Sequence, residues 1–130
     1  MKSLTHLTMT VLFATLVLVF AANTAMAQDP VKVDPKHYKV EFENDQVRVL
    51  RITYGPHEKS VMHDHPASEV VFLIDGNIKF TLPGGKTQED HGKAGETRWE
   101  AAGKHLPENL SDKPFEAILV ELKGKPAKTK

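Results

Sequence analysis

Short segments typical of β-strands, each bounded by turn-forming residues, constrain the fold of this chain more than any other feature. From residue 38 to residue 122, runs rich in β-branched and aromatic residues alternate with clusters of Gly, Pro, Asn and Asp. No long stretch has the spacing of an amphipathic helix. The pattern predicts an all-β domain, a sandwich or a jelly-roll barrel, and its clearest strands are Tyr38–Phe42, Val47–Tyr54, Ile78–Leu82, Glu96–Glu100 and Phe115–Leu122.

His63, His65 and Glu69 form a pattern typical of a metal site. Residues two apart in an extended strand share a face, so the two histidines can direct their imidazoles at one point. Glu69 has the same parity. Two neutral nitrogens and a carboxylate suit a divalent iron, manganese, cobalt, nickel, copper or zinc ion better than magnesium or calcium.

His105 is the best candidate for a further ligand. It follows Gly95, Ala101 and Gly103 in a segment that ends at Asn109. With this histidine included, the sequence resembles the cupin superfamily. The first cupin motif reads His-x-His, three or four residues, Glu, six residues and Gly, and the second supplies another His.

The resemblance covers roughly residues 38–122. His63, His65, Glu69 and Gly76 fit the first motif at full spacing, and His105 fits the end of the second. The resemblance implies a cupin-type double-stranded β-helix, a jelly-roll barrel, with one divalent transition metal held by His63, His65, Glu69 and His105. It specifies no reaction, because cupins host many unrelated chemistries.

Residues 1–27 have the features of a secretory signal peptide. Lys2 precedes an apolar run from Leu7 to Ala22, and Ala25-Met26-Ala27 fits a cleavage site. An uncleaved anchor is the alternative, but the run is shorter than the roughly 20 apolar residues that span a bilayer. The chain is therefore predicted to be exported, to the periplasm or the medium, with Gln28 as its first mature residue.

The mature chain is predicted to be a single domain. We expect an extended N-terminal arm at 28–37, the barrel at 38–123 and a basic tail at 124–130. The signal contains one charged residue, Lys2, which leaves 16 Lys and Arg against 17 Asp and Glu. This balance favours neither nucleic acid nor, after cleavage, a membrane as partner. The absence of cysteine excludes disulfides and thiolate ligands.

Two classes of function fit these residues. The first is a metal-dependent enzyme acting on a small molecule, a dioxygenase by preference, because three histidines and a carboxylate leave one or two metal positions open. Glu69 is then the predicted catalytic residue, as a general base. An isomerase or epimerase would use the same site without redox chemistry. The second class is a non-catalytic metal- or ligand-binding cupin, since no nucleophile–base pair is evident.

The parity of Glu69 also predicts the two faces of its strand. If Glu69 faces the metal, Val71 and Leu73 lie inside the barrel, and Val70, Phe72 and Ile74 face outward. Such an exposed apolar row predicts a homodimer, unless the N-terminal arm covers it.

Four side chains other than the motif residues are also assigned. Trp99 is predicted to lie in the core, and His57 and His91 at the surface. Glu100 has the opposite parity to Trp99, which fits either a solvated face or the wall of a cavity.

Overall fold

The structure, a computed structural model, describes residues 28–124. The predicted signal peptide and residues 125–130 of the predicted tail lie outside this range. In the described part, no helix is both long and apolar enough to span a bilayer. The elements are α1 (Pro30–Val33), β1 (Tyr38–Glu43), β2 (Val47–Tyr54), β3 (His63–His65), β4 (Ser68–Phe72), β5 (Gly76–Thr81), β6 (Thr87–Gly92), β7 (Thr97–Glu100), β8 (Gly103–Asn109) and β9 (Phe115–Leu122).

The strands form two antiparallel sheets, which confirms the predicted all-β architecture. The five-stranded sheet has the order β1-β2-β9-β4-β7, and the four-stranded sheet has the order β3-β8-β5-β6. Alternate residues of each strand point into the space between the sheets. The buried apolar core consists of Tyr38, Leu50, Ile52, Tyr54, Phe72, Ile78, Phe115, Ala117 and Leu119.

β3 and β4 belong to different sheets, although the sequence pattern treats them as one strand. β3 pairs with β8, whereas β4 pairs with β7 and β9. Pro66 and Ala67 connect them, and a proline has no N–H to continue a strand ladder. The parity of His63 and His65 is therefore not carried into β4.

For this reason, the prediction of which β4 side chains point into the barrel is wrong. Ser68, Val70 and Phe72 point into the barrel, and Phe72 is only 4% exposed. Leu73, predicted to lie inside, is instead exposed, as is Ile74. The outer face of this sheet carries a different apolar set, whose positions follow from the register: Val49, Val71, Ile118, Val120 and Leu122.

The N-terminal arm is folded rather than extended. Asp29 caps α1 by accepting a hydrogen bond from the Val31 amide at 3.0 Å, and Pro30 occupies the first turn and is buried. An Asp-Pro pair suits a helix start because the carboxylate caps the free amides and proline has the required φ. Farther along, the His37 ring stacks on Tyr54, with 4.4 Å between ring centroids. The segment therefore packs against the barrel.

Candidate metal centre

Three of the four predicted ligands meet inside the barrel. His63 and His65 lie on β3, and His105 lies directly opposite His63 on β8. Opposite residues of antiparallel strands share a face, so all three rings point the same way. One ligand atom from each histidine lies within 4.8 Å of those of the other two. The spacing in the sequence therefore identified a real cluster.

The hydrogen bonds of His63 and His65 fix which ring nitrogens are free. The Nδ1–H of His63 donates to the Val61 carbonyl at 2.7 Å, and that of His65 donates to Glu121 Oε1 at 2.6 Å. Both partners only accept, so in the neutral form of each ring the Nε2 atom keeps its lone pair. These Nε2 atoms lie 3.0 Å apart. Two lone pairs that close repel each other unless a cation binds both, which is what a metal would do here.

His63 and His105 stay neutral well below the usual pKa of an imidazole. Burial, with the nearby His65, lowers the pKa of His63 to about 4. Burial also lowers the pKa of His105 to about 3, and His65 and His63 contribute in that order. Metals bind the neutral ring, so His63 and His105 are in their metal-binding form at neutral pH.

The structure does not bring Glu69 to the three histidines. This residue pairs with Trp99 on one side and Val120 on the other, and cross-strand partners share a face. Trp99, predicted to lie in the core, is 58% exposed on that face. Glu69 therefore lies on the outside of the sheet, and the interior position goes to Ser68, which is fully buried.

Glu121 is the carboxylate that the sequence interpretation missed. Its Oε1 accepts from His65, and its Oε2 accepts from Arg48 Nε at 2.6 Å, so it orients a ligand from the side away from the other histidines. Carboxylates in this position fix the ring and raise its basicity. A signal existed, because Glu121 continues the inward positions Phe115, Ala117 and Leu119 of an otherwise apolar alternation.

A cavity of about 180 Å³ lies beside the histidines. His65 and His105 form part of its wall, and Phe80 stacks on His105 with 4.9 Å between centroids. Most of the remaining wall is apolar. Glu100 also lines the cavity, which settles the choice that its parity left open, and burial raises the pKa of its carboxyl.

His57 and His91 lie away from this site. Their side chains are 60% and 68% exposed, as predicted. His57 contacts Asp112, and His91 lies 3.9 Å from Glu89. Neither joins the histidine cluster.

Comparisons with known proteins find solved structures of similar fold. No family model matches the chain, and no curated protein has a significant sequence match. A cupin domain from Bordetella pertussis has a TM-score of 0.63 at 24% identity, over 67% of this chain and 92% of that one. A double-stranded β-helix protein from Klebsiella pneumoniae has a TM-score of 0.55 at 21% identity, over 68% and 76%.

A third solved structure with a similar shape is the polyketide cyclase RemF from Streptomyces resistomycificus. Its TM-score is 0.50 at 18% identity, over 68% of this chain and 66% of that one. Together these similarities show the cupin fold, which confirms the predicted double-stranded β-helix.

Proposed function

We propose that this protein is an exported metal-dependent enzyme that oxidises a small, mostly apolar molecule with dioxygen. The main support is the position of His65 and His105 in the wall of an apolar cavity. A divalent metal held by His63, His65 and His105 would keep free coordination positions, and an iron ion there would supply the redox chemistry that activates dioxygen.

The cavity limits the size of the substrate. An engineered cavity of about 150 Å³ accommodates benzene, and drug-sized ligands need about 300 Å³ or more. The volume of about 180 Å³ therefore suits one ring with one or two small substituents. The apolar wall would hold the ring and exclude water from the histidines.

Glu100 takes the catalytic role that Glu69 was predicted to have. Within the described residues its carboxylate has no hydrogen bond or ion pair, and it lines the same cavity as His65. A carboxylate with a raised pKa next to a substrate can accept a proton from a substrate hydroxyl. We assign Glu100 as the general base.

Metal analysis and oxygen uptake test this proposal. The purified protein is analysed for metals, loaded with Fe²⁺ and screened with catechols, small diketones and thiols. Oxygen consumption that requires the metal, with ¹⁸O from dioxygen in the product, is the expected result. Glu100→Gln should lower the rate and keep the metal. Product formed without oxygen uptake would favour the isomerase alternative, and bound metal without any turnover would favour a binding protein.

Export is tested separately by mass spectrometry. Protein recovered from the periplasm or medium of expressing bacteria should begin at Gln28. A chain that keeps residues 1–27 and stays with the membrane would contradict the signal peptide.

A further inference from the structure

The N-terminal segment, residues 28–37, is connected to the metal centre through two series of side-chain contacts and one backbone hydrogen bond. We propose that this segment positions the ligand histidines, so that its docking on the barrel and metal binding stabilise each other. The inference rests on the proposed metal site and concerns residues that no cupin motif includes.

The first series runs from Asp29 to His65. Asp29 Oδ2 accepts from Arg48 Nη1 at 2.8 Å, and Arg48 Nε donates to Glu121 Oε2 at 2.6 Å. Glu121 Oε1 then accepts from His65 Nδ1 at 2.6 Å. Arg48 and Glu121 are direct cross-strand partners on β2 and β9, so the barrel fixes the middle of the series. Only Asp29 comes from the segment.

The second series runs from Asp34 to His63. Asp34 is 8% exposed and accepts hydrogen bonds from the Ser60 hydroxyl and from His37 Nδ1, the latter at 2.7 Å. The Ser60 oxygen lies 3.4 Å from His63 Nδ1, on the side of the ring away from His65. Asp34 is therefore connected to His63 only through Ser60, whereas Glu121 hydrogen-bonds His65 directly.

The backbone makes a third connection. The amide of Asp64, which lies between the two ligand histidines, donates to the Gln28 carbonyl at 2.9 Å. This hydrogen bond pairs the segment with the outer edge of β3. β3 has only three residues and one strand partner, β8, so this added partner limits its movement.

These contacts explain why docking would affect metal binding. Arg48 is held between two carboxylates, and Glu121 divides its two oxygens between Arg48 and a ligand histidine. Loss of Asp29 leaves Arg48 free to reorient, so Glu121 loses part of the support that aims His65. Mutation of groups that orient ligands lowers metal affinity by about 10–100-fold. Because coupling is reciprocal, bound metal must stabilise the docked segment by the same factor.

Zinc affinity of a set of variants tests the first half of this coupling. Competition with a chromophoric chelator should show about 10–100-fold weaker Zn²⁺ binding for Glu121→Gln. We expect a smaller but clear loss of about 3–10-fold for Asp29→Asn, because it acts through Arg48 and Glu121. The two losses should not add in the double variant. Asp45→Asn removes an exposed carboxylate from the β1–β2 turn and should leave the affinity unchanged.

Hydrogen exchange tests the second half. The amides of Lys32, Val33 and Asp34 bond to carbonyls within the segment and report its docking. Zn²⁺ should slow their exchange in the native protein and have no effect when His63 and His65 are both alanine. If the segment only covers the barrel, Asp29→Asn would change the stability of the protein but not its Zn²⁺ affinity, and Zn²⁺ would not slow amide exchange in the segment.

The outcomes separate the two proposals. If the native protein binds no Zn²⁺, the metal centre itself is wrong. The coupling is refuted if Zn²⁺ binds equally well to the native protein and to Asp29→Asn, and if Zn²⁺ does not change the rate of amide exchange in the segment. The proposed metal centre is unaffected by that result.

Discussion

The ring of Phe115 lies against the backbone of Gly76, at the start of β9 and β5 respectively. A Cβ at Gly76 would come within 2.6 Å of two ring carbons of Phe115. Gly76 is not among the glycines with positive φ. The glycine of the first cupin motif is therefore required here by close packing rather than by the shape of a turn.

Gly76→Ala should destabilise the protein by about 1–3 kcal/mol, because the added methyl overpacks the core. Urea unfolding measures the change. Gly103→Ala is the matched control, since nothing lies within 4 Å of its Cβ position and its φ is not positive. Adding Phe115→Leu should cost less in the Gly76→Ala background than in the native protein, and equal costs would argue against this contact.

Metal content should depend on the three histidines and should not depend on Glu69. Replacing His63 and His65 together by alanine should abolish binding, because His105 alone cannot hold the ion against water. Glu69→Gln should keep full metal content after dialysis, as its side chain is on the outer face. Loss of metal from Glu69→Gln would restore the four-ligand prediction made from the motif.

Acid should destabilise the metal-free protein as the pH falls below 6.5. The unfolded chain takes up protons at a histidine pKa of about 6.5, whereas folded His63 and His105 take them up only near pH 4 and pH 3. Between these values each histidine lowers stability by at most about 1.4 kcal/mol per pH unit. Urea midpoints from pH 7 to 4.5 measure the slope. His63→Gln should reduce it, and an unchanged slope would contradict the buried, neutral assignment.

Phe72→Lys should unfold the protein rather than divide a dimer. The ring lies in the core beside Phe115, with 5.8 Å between centroids, and a buried charge without a partner costs several kcal/mol. Val71→Lys, on the outer face of the same strand, should leave the fold intact. Circular dichroism and thermal unfolding of the two variants measure these effects. If the faces predicted from the sequence were right, Val71→Lys would unfold the protein and Phe72→Lys would not.

The homodimer remains a prediction, now placed on the outer face of the five-stranded sheet. There Phe42, Val49 and Val120 lie side by side on three neighbouring strands, and Glu69 separates Val120 from the exposed Trp99. Covering this row with the same row of a second copy would satisfy two-fold symmetry. Sedimentation should give a dimer that Val120→Lys converts to a monomer with its metal intact. A native monomer at micromolar concentration would refute it.

Local pattern predicted much of the fold and part of the site. β2 and β9 have the bounds that their β-branched runs indicated, and the histidine spacing identified three residues that do meet. Glu69 and Phe72 were assigned to the wrong faces because the alternation of inward and outward side chains holds only within one continuous strand. It cannot show that Pro66 and Ala67 move the chain from one sheet to the other.

Long-range pairing limited the rest of the prediction. The inward position of Glu121 was visible in the alternation of β9, but its partner His65 is 56 residues away in the sequence. The Asp-Pro pair at 29–30 was a helix-start signal, yet nothing local shows that Asp29 contacts Arg48. Such contacts depend on strand order, which no single segment encodes.

The central place of β9 in its sheet has a consequence for the order of folding. This strand is the last in the described chain, yet it lies between β2 and β4 and supplies Glu121. Until residues 115–122 are synthesised, β2 and β4 have no shared partner, and these distant pairings make folding slow. A nascent chain would thus stay open until this strand has been synthesised. For an exported precursor, that delay would preserve the unfolded state needed for threading across a membrane, and metal loading would follow on the far side.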